Sequence, residues 1–229
     1  MKLIRAGVAA LAIFAPLAVP AVASASALPS HVTFRQQNMF TEFYWKADPT
    51  TTCGLEVHVI GFGGFQTTQD AGAPITTPSA VVTIEYFDRC TGAYESVFAY
   101  NNEQANLSFR GMSGSETATV YPVVCTVDGC SQDTSNPIGV NLSVRGSTTT
   151  HSHLAFSLHT NYFQIASENT GVLHYGPMSG SVTFTTSSGD VLTVFPNYTD
   201  PVQPLITGAG AGGQVGSSQE SDLFVSFGN

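Results

Sequence analysis

Apolar and polar residues alternate with a period of two along most of this chain, and no other feature limits the fold as much. In residues 53–59, three aliphatic side chains fall on one face of an extended strand, and Glu56 and His58 fall on the other. Similar runs recur, and no stretch keeps helical periodicity beyond two turns. We therefore predict an all-β fold, an antiparallel β-sandwich of the Ig-like or jelly-roll-like kind. Further strands are predicted at residues 80–87, 94–100, 106–110, 117–124, 140–145, 181–186 and 191–195.

Four cysteines are expected to staple this fold with two disulfides. Cys125 and Cys130 flank a Thr-Val-Asp-Gly segment, and Asp-Gly favours a tight turn, so this pair should close a short loop. Cys53 and Cys90 are then left to pair with each other. Four cysteines allow three connectivities, and the spacing favours this one. A zinc site is disfavoured because no second close pair completes a tetrahedral ligand set.

Residues 1–27 have the pattern of a secretory signal peptide. Lys2 and Arg5 precede an apolar run over residues 6–19, which is too short to span a membrane. Small residues follow at the spacing that signal peptidase requires. Cleavage is expected after one of three alanines, Ala23, Ala25 or Ala27. We expect the mature protein to be secreted, periplasmic or on the cell surface, with no transmembrane anchor after cleavage.

The charge balance excludes several classes of partner. Cleavage removes two of seven cations and none of sixteen acidic residues, which leaves a net charge near −11. Nucleic acid is excluded because a phosphate backbone needs clustered cations to replace its counterions. Anionic lipid is disfavoured for the same reason. The remaining cations are scattered along the sequence: Arg35, Lys46, Arg89, Arg110 and Arg145.

The mature chain, residues 28–229, is predicted to form one domain, because about 200 residues suffice for a single hydrophobic core. The segment 207–218 contains the run Gly-Ala-Gly-Ala-Gly-Gly, which predicts a mobile Gly-rich loop. Leu223, Val225 and Phe227 alternate after it, so the last strand is expected to pack back on the body.

One run, residues 151–159, concentrates three of the six histidines. In a strand, His151 and His153 project from the same face about 6–7 Å apart, which lets both reach one metal ion. His159 is too far along the strand to join them. His174, or His58 with Glu56, is the available third ligand. A divalent metal at His151, His153 and His174 is thus the only cofactor predicted, and the alternative is that these histidines are solvated.

The motifs of common enzyme classes are missing from the sequence. It contains no Gly-x-Ser-x-Gly, no His-Glu-x-x-His and no phosphate-binding loop. Two carboxylate pairs close in sequence, Glu42 with Asp48 and Glu85 with Asp88, are candidates for glycoside cleavage. Trp45 is predicted to be a core residue, with a sugar-stacking role as the alternative.

Two short motifs occur twice. Residues 106–111 and 141–146 share the pattern Asn-Leu-Ser-x-Arg-Gly, and residues 112–115 and 178–181 share Met-Ser-Gly-Ser. The offsets differ, so we interpret them as recurrent strand chemistry rather than a duplicated half-domain.

From residue 106 onward, a short acidic strand series, a His-x-His strand and a Gly-rich segment before the last strand resemble secreted bacterial β-rich proteins with no assigned activity. The resemblance implies location and architecture only. With no catalytic motif, the function predicted from the sequence is an exported non-catalytic β-sandwich that acts as a surface, matrix or ligand-binding module. An extracellular glycan or protein is its expected ligand. The alternative is a metal-binding protein or metal-dependent enzyme that uses the His-x-His strand.

Overall fold

The computed structural model describes residues 32–69, 73–127, 129–159, 163–198 and 211–226. The predicted signal peptide, residues 1–27, lies outside these ranges. Every regular element in the described part is a β-strand. In chain order they are β1 (Val32–Lys46), β2 (Leu55–Gln69), β3 (Ile75–Asp88), β4 (Tyr94–Asn101), β5 (Ala105–Arg110), β6 (Ser113–Thr126), β7 (Gly129–Gln132), β8 (Ile138–Arg145), β9 (Thr148–His159), β10 (Phe163–Gly176), β11 (Met178–Thr185), β12 (Val191–Val194) and β13 (Ala211–Ser226).

The strands form one antiparallel sheet with the order β12-β11-β8-β6-β4-β3-β2-β1-β13-β10-β9, and β5 and β7 pair with β6 beside this path. The long strand β6 pairs with β5 and β8 along its first half and with β4 and β7 along its second half. It therefore connects β8, β11 and β12 to the rest of the sheet. The prediction of an all-β antiparallel fold is confirmed. The finer prediction of an Ig-like or jelly-roll-like sandwich stays a prediction.

The hydrophobic core lies where β1–β4 and β13 face β6, β8, β11 and β12. Gly61 of β2 lies close to Leu142 of β8, and Gly114 of β6 lies close to Val215 of β13. We call the side of the sheet that carries this core the inner face. Trp45 is partly buried and packs against the core, as predicted. The alternation seen in the sequence therefore sorts side chains between this inner face and the outer face.

Both predicted disulfides are confirmed. Cys53–Cys90 joins the chain just before β2 to the turn after β3, with the Cα atoms 5.1 Å apart. Cys125–Cys130 closes the hairpin between β6 and β7, with the Cα atoms 4.0 Å apart. No free cysteine is found among the described residues. Two disulfides fit an oxidising compartment, either extracellular or periplasmic.

The predicted Gly-rich loop at 207–218 needs correction over its second part. Residues 211–218 belong to β13, which pairs with β1 on one side and β10 on the other. Gly213 and Gly216 are buried there, and neighbouring atoms lie so close to them that no side chain would fit. These glycines allow close packing of the strands. Composition alone does not distinguish such glycines from those of a flexible loop. Residues 207–210 lie outside the described ranges.

No helix long and apolar enough to cross a membrane occurs in the part of the chain that the structure describes.

Candidate functional site

A cavity of about 710 Å³ opens on the inner face, and its walls come from five strands that are neighbours in the sheet: β2, β1, β13, β10 and β9. The pairing register aligns one row of side chains across all five strands, and every member of the row lines the cavity. The row consists of Phe65, Gln37, Ser217, Val172 and His151. Regular antiparallel pairing thus builds a polar floor with an aromatic ring at one end and an imidazole at the other. We call it the inner-face cavity.

Arg35 also lines the inner-face cavity, two residues before Gln37 on the same face of β1. Its side chain is exposed and makes no ion pair with any described residue. Of the five cations in the described part of the chain, Arg35 is the one that lines this cavity. A guanidinium binds carboxylate or phosphate through two parallel hydrogen bonds. Arg35 therefore gives the cavity the means to hold an anionic group.

His151 and His153, predicted as a pair, lie on β9 at this cavity. His151 lines it, is exposed, and has no hydrogen-bond partner within the described ranges. His153 Nε2 lies 3.1 Å from Glu168 Oε1, and both side chains are more than half exposed. A carboxylate that holds one ring nitrogen orients the imidazole. The cavity therefore combines an anion-binding group, Arg35, with one imidazole, His151, that can transfer a proton.

His174 lies on the same face but does not join them. Its Nδ1 is 2.8 Å from Thr149 Oγ1, the residue opposite it in the register, and it does not line the cavity. Within the described ranges, no group of three or more His, Cys, Asp or Glu side chains has an arrangement that could hold a metal ion. The metal site predicted at His151, His153 and His174 stays a prediction.

A second cluster of titratable groups lies on the outer face, around His58. Its Nε2 is 2.9 Å from Glu42 Oε1, its Nδ1 is 3.2 Å from Glu85 Oε2, and Tyr44 stacks on the ring with centroids 4.4 Å apart. The Tyr94 hydroxyl donates to Glu85. Burial alone would lower the pKa of His58, but the hydrogen bonds and charges of the two glutamates outweigh it, so the pKa is raised.

The cluster corrects the carboxylate pairs predicted from the sequence. Glu42 and Glu85 approach the same imidazole from β1 and β3, whereas Asp48 and Asp88 each accept hydrogen bonds in local turns. Because both ring nitrogens of His58 are taken up by carboxylates, the imidazole has no free nitrogen for a substrate. The His58 cluster thus serves as an ion network that ties three strands together.

Lys46, the only lysine outside the predicted signal peptide, is buried at the end of β1. Its Nζ lies 3.1 Å from Glu56 Oε1 and also donates to the Thr51 carbonyl, while Arg89 pairs with the other oxygen of Glu56. Glu56, predicted as a partner of His58 in metal binding, is therefore committed to two cations. The network holds the strand ends beside the Cys53–Cys90 disulfide.

Three ionisable residues, two beside the histidines of β9 and one in the core, escaped the sequence analysis. Arg35 and Glu168 carried no local signal, since only the pairing of distant strands brings them to the histidines. Glu116 did carry one. It sits between Gly114 and Ala118 in an alternating run, which places its carboxylate among the core positions of β6.

No protein-family model matches the chain, and no curated protein is similar to it in sequence. A comparison with solved structures finds an acetoacetate decarboxylase-like enzyme from Sphingomonas wittichii RW1. It is 12% identical, and the match covers 88% of this chain and 92% of that one at a TM-score of 0.22. A likeness of that size carries no argument about activity or substrate.

The non-catalytic surface, matrix or ligand-binding module predicted from the sequence is not supported by this match, which is to an enzyme, and it is not proposed again. The function has to be argued from the inner-face cavity itself.

Proposed function

We propose that the protein is an exported enzyme that binds an elongated anionic substrate in the inner-face cavity and hydrolyses it with His151 as general base. The observation that carries the proposal is that Arg35 and His151, both without partners among the described residues, line one cavity. A concave pocket with a few convergent polar groups is the usual place for an active site. Export is supported by the signal-peptide pattern and by the two disulfides.

The sheet register supports an elongated substrate. Arg35 lies on β1 and His151 on β9, and β13 and β10 lie between them. Three strand spacings amount to about 14 Å along a flat sheet, and less where the sheet curves. The substrate therefore needs a carboxylate at one end, and its ester bond should lie at most about 14 Å from that carboxylate. Val172, on β10 between the two residues, offers an apolar surface to its middle.

The proposed chemistry is general-base hydrolysis of an ester. His151 takes a proton from water while the water oxygen bonds to the carbonyl carbon. The tetrahedral species then collapses, the bond between the carbonyl carbon and the alcohol oxygen breaks, and the imidazolium gives its proton to the leaving oxygen. The neighbouring pair of His153 and Glu168 places a second imidazole at the edge of the cavity.

The test compares p-nitrophenyl monoesters of linear dicarboxylic acids with neutral p-nitrophenyl esters of the same chain length. We expect the longer charged esters to be favoured over their neutral counterparts. His151→Gln should lower kcat for both about a hundredfold. Arg35→Gln should raise KM about tenfold for charged esters only.

Two matched variants serve as controls. His174→Gln replaces a histidine on the same face that does not line the cavity, and Arg110→Gln replaces an exposed arginine on β5. Neither should alter hydrolysis. A wild-type rate in His151→Gln, or no hydrolysis by the native protein above the buffer rate, would show that the proposal is wrong.

A further inference from the structure

The two copies of the motif Asn-Leu-Ser-x-Arg-Gly occupy equivalent positions on the two sides of β6. They form β5 and β8, and these strands pair with opposite edges of β6. The registers are equivalent, so that residues at the same motif position oppose the same residue of β6. Arg110 and Arg145 both oppose Ser113, and Ser108 and Ser143 both oppose Ser115. Two similar strands therefore present the same side chains symmetrically about β6.

These side chains all lie on the outer face, because Gly114 and Glu116, which alternate with them on β6, are buried on the inner one. We call the surface formed by Arg110, Ser113, Arg145, Ser108, Ser115 and Ser143 the arginine–serine face. The serine row continues onto β11, where Ser179 Oγ lies 2.9 Å from Ser143 Oγ. A shallow groove of about 520 Å³ runs over this surface.

The two arginines lack anionic partners in the described part of the chain, and both are exposed. They project from strands two positions apart in the sheet, so their Cα atoms lie about 10 Å from each other. Elsewhere, Lys46 and Arg89 are held by Glu56. In a chain whose net charge is −9, this face thus gathers two of the few cations beside rows of hydroxyl groups.

We propose that the arginine–serine face binds a carboxylated polysaccharide, with Arg110 and Arg145 each pairing with a carboxylate and the serines hydrogen bonding to sugar hydroxyls. Charge complementarity selects an acidic polymer, since each guanidinium can hold one carboxylate in bidentate fashion. The groove is lined by serines, glycine, arginines and aliphatic side chains and includes, among the described residues, no aromatic ring on which an uncharged sugar could stack. Two cations are too few for a nucleic-acid backbone.

The inference does not depend on the proposed hydrolysis, because the face lies on the opposite side of the sheet and on different strands. The probes are oligomers of de-esterified polygalacturonate, the same oligomers with methyl-esterified carboxyls, and neutral dextran oligomers. Isothermal titration calorimetry at low ionic strength measures binding. We expect binding of the de-esterified oligomers only, because methyl esterification removes the charge and leaves the sugar backbone intact.

Arg110→Gln and Arg145→Gln should each weaken binding about tenfold, and the double variant should bind no more than dextran does. Arg110→Lys should retain part of the affinity because it keeps the charge without the bidentate geometry. His174→Gln is the control and should bind like the wild type, because His174 lines neither this groove nor the inner-face cavity. Comparing Arg35→Gln with the double variant separates this face from the inner-face cavity. Thermal unfolding of each variant verifies that the sheet is intact.

Three results would overturn the proposal: no binding of the de-esterified oligomers, equal binding of the methyl-esterified ones, or undiminished binding by the double variant. If Arg35→Gln lost binding and the double variant kept it, the carboxylates would bind in the inner-face cavity. That result would also contradict the proposal.

Discussion

The carboxylate of Glu116 faces the bare backbone of Gly63 across the core, so closely that a Cβ on residue 63 would lie 2.5 Å from Glu116 Oε2. Glu116 is 1% exposed, and neither of its oxygens has a hydrogen-bond partner among the described residues. Burial raises the pKa of this carboxyl from its ordinary value to about 8. The core therefore holds an acid that stays protonated at neutral pH.

This acid should make stability depend on pH. Between its ordinary pKa of 4.5 and its folded pKa of about 8, the folded protein keeps a proton that the unfolded chain releases. The free energy of unfolding should fall across that window, by on the order of 3 kcal/mol at neutral pH. Glu116→Gln carries no proton to lose, so its stability should change less over the same range.

Urea unfolding at about pH 5 and about pH 8.5 measures the difference. Glu103→Gln, which alters an exposed acid in the turn after β4, provides the control and should keep the wild-type slope. A slope in Glu116→Gln equal to that of the wild type would mean that Glu116 is not the group responsible.

The His58 cluster should add a second pH dependence, on the basic side. Since the folded pKa of His58 lies above 6.5, its contribution to stability is complete below about pH 6.5 and is lost as the pH rises through the folded pKa. Glu42→Gln removes one of the two partners. It should cost about 1 kcal/mol in mildly acidic solution and much less in alkaline solution.

The ring protons of His58 can be followed by NMR titration. The wild-type midpoint should lie above that of an ordinary histidine, and Glu42→Gln should lower it. A midpoint unmoved by Glu42→Gln would contradict the role given to this pair.

Close packing at β13 gives a third prediction. A Cβ on Gly213 would lie 2.5 Å from the carbonyl oxygen of Phe40 and close to the Val144 side chain, so Gly213→Ala should destabilise the protein by about 1–3 kcal/mol. Gly139→Ala is the matched control, because its nearest neighbours in Thr183 are at 3.9 and 4.0 Å. It should be neutral or slightly stabilising. Thermal unfolding of the two variants should therefore differ, and similar melting temperatures would refute the packing argument.

The two disulfides should contribute unequally. Cys53 and Cys90 are 37 residues apart in sequence, and Cys125 and Cys130 only 5. In the chain-entropy picture the longer loop stabilises by about 4 kcal/mol and the shorter by about 2. Replacing each pair by serines and comparing urea midpoints tests the order. A larger destabilisation from opening the short loop would point to interactions within the native hairpin rather than to chain entropy.

Local features of the fold were predictable from the sequence. Strands such as β4 and β8 follow from period-two alternation. The turn that contains Cys90 joins β3 to β4, and there the Asp88 carboxylate accepts a hydrogen bond from the Cys90 amide. The disulfide pairing followed from one short loop and elimination. These are properties of neighbouring residues, which a sequence displays directly.

The candidate site was predictable only in part. The His-x-His strand drew attention to His151 and His153, but Arg35 is more than a hundred residues away in sequence and meets them only through β13 and β10. Likewise, Glu42 and Glu85 meet at His58 through pairing registers that no local pattern encodes. The buried glycines of β13 resembled linker residues because composition does not record what lies against them.

The position of β13 sets the order in which the molecule can be assembled. It is the last strand in the described chain, yet it lies inside the sheet, between β1 and β10. Until residues 211–226 have left the ribosome, the hairpin of β9 and β10 has no strand through which to join β1. The inner-face cavity, whose floor includes Ser217, therefore cannot exist on a partly synthesised chain. Any activity of this cavity therefore requires that the last described strand be in place.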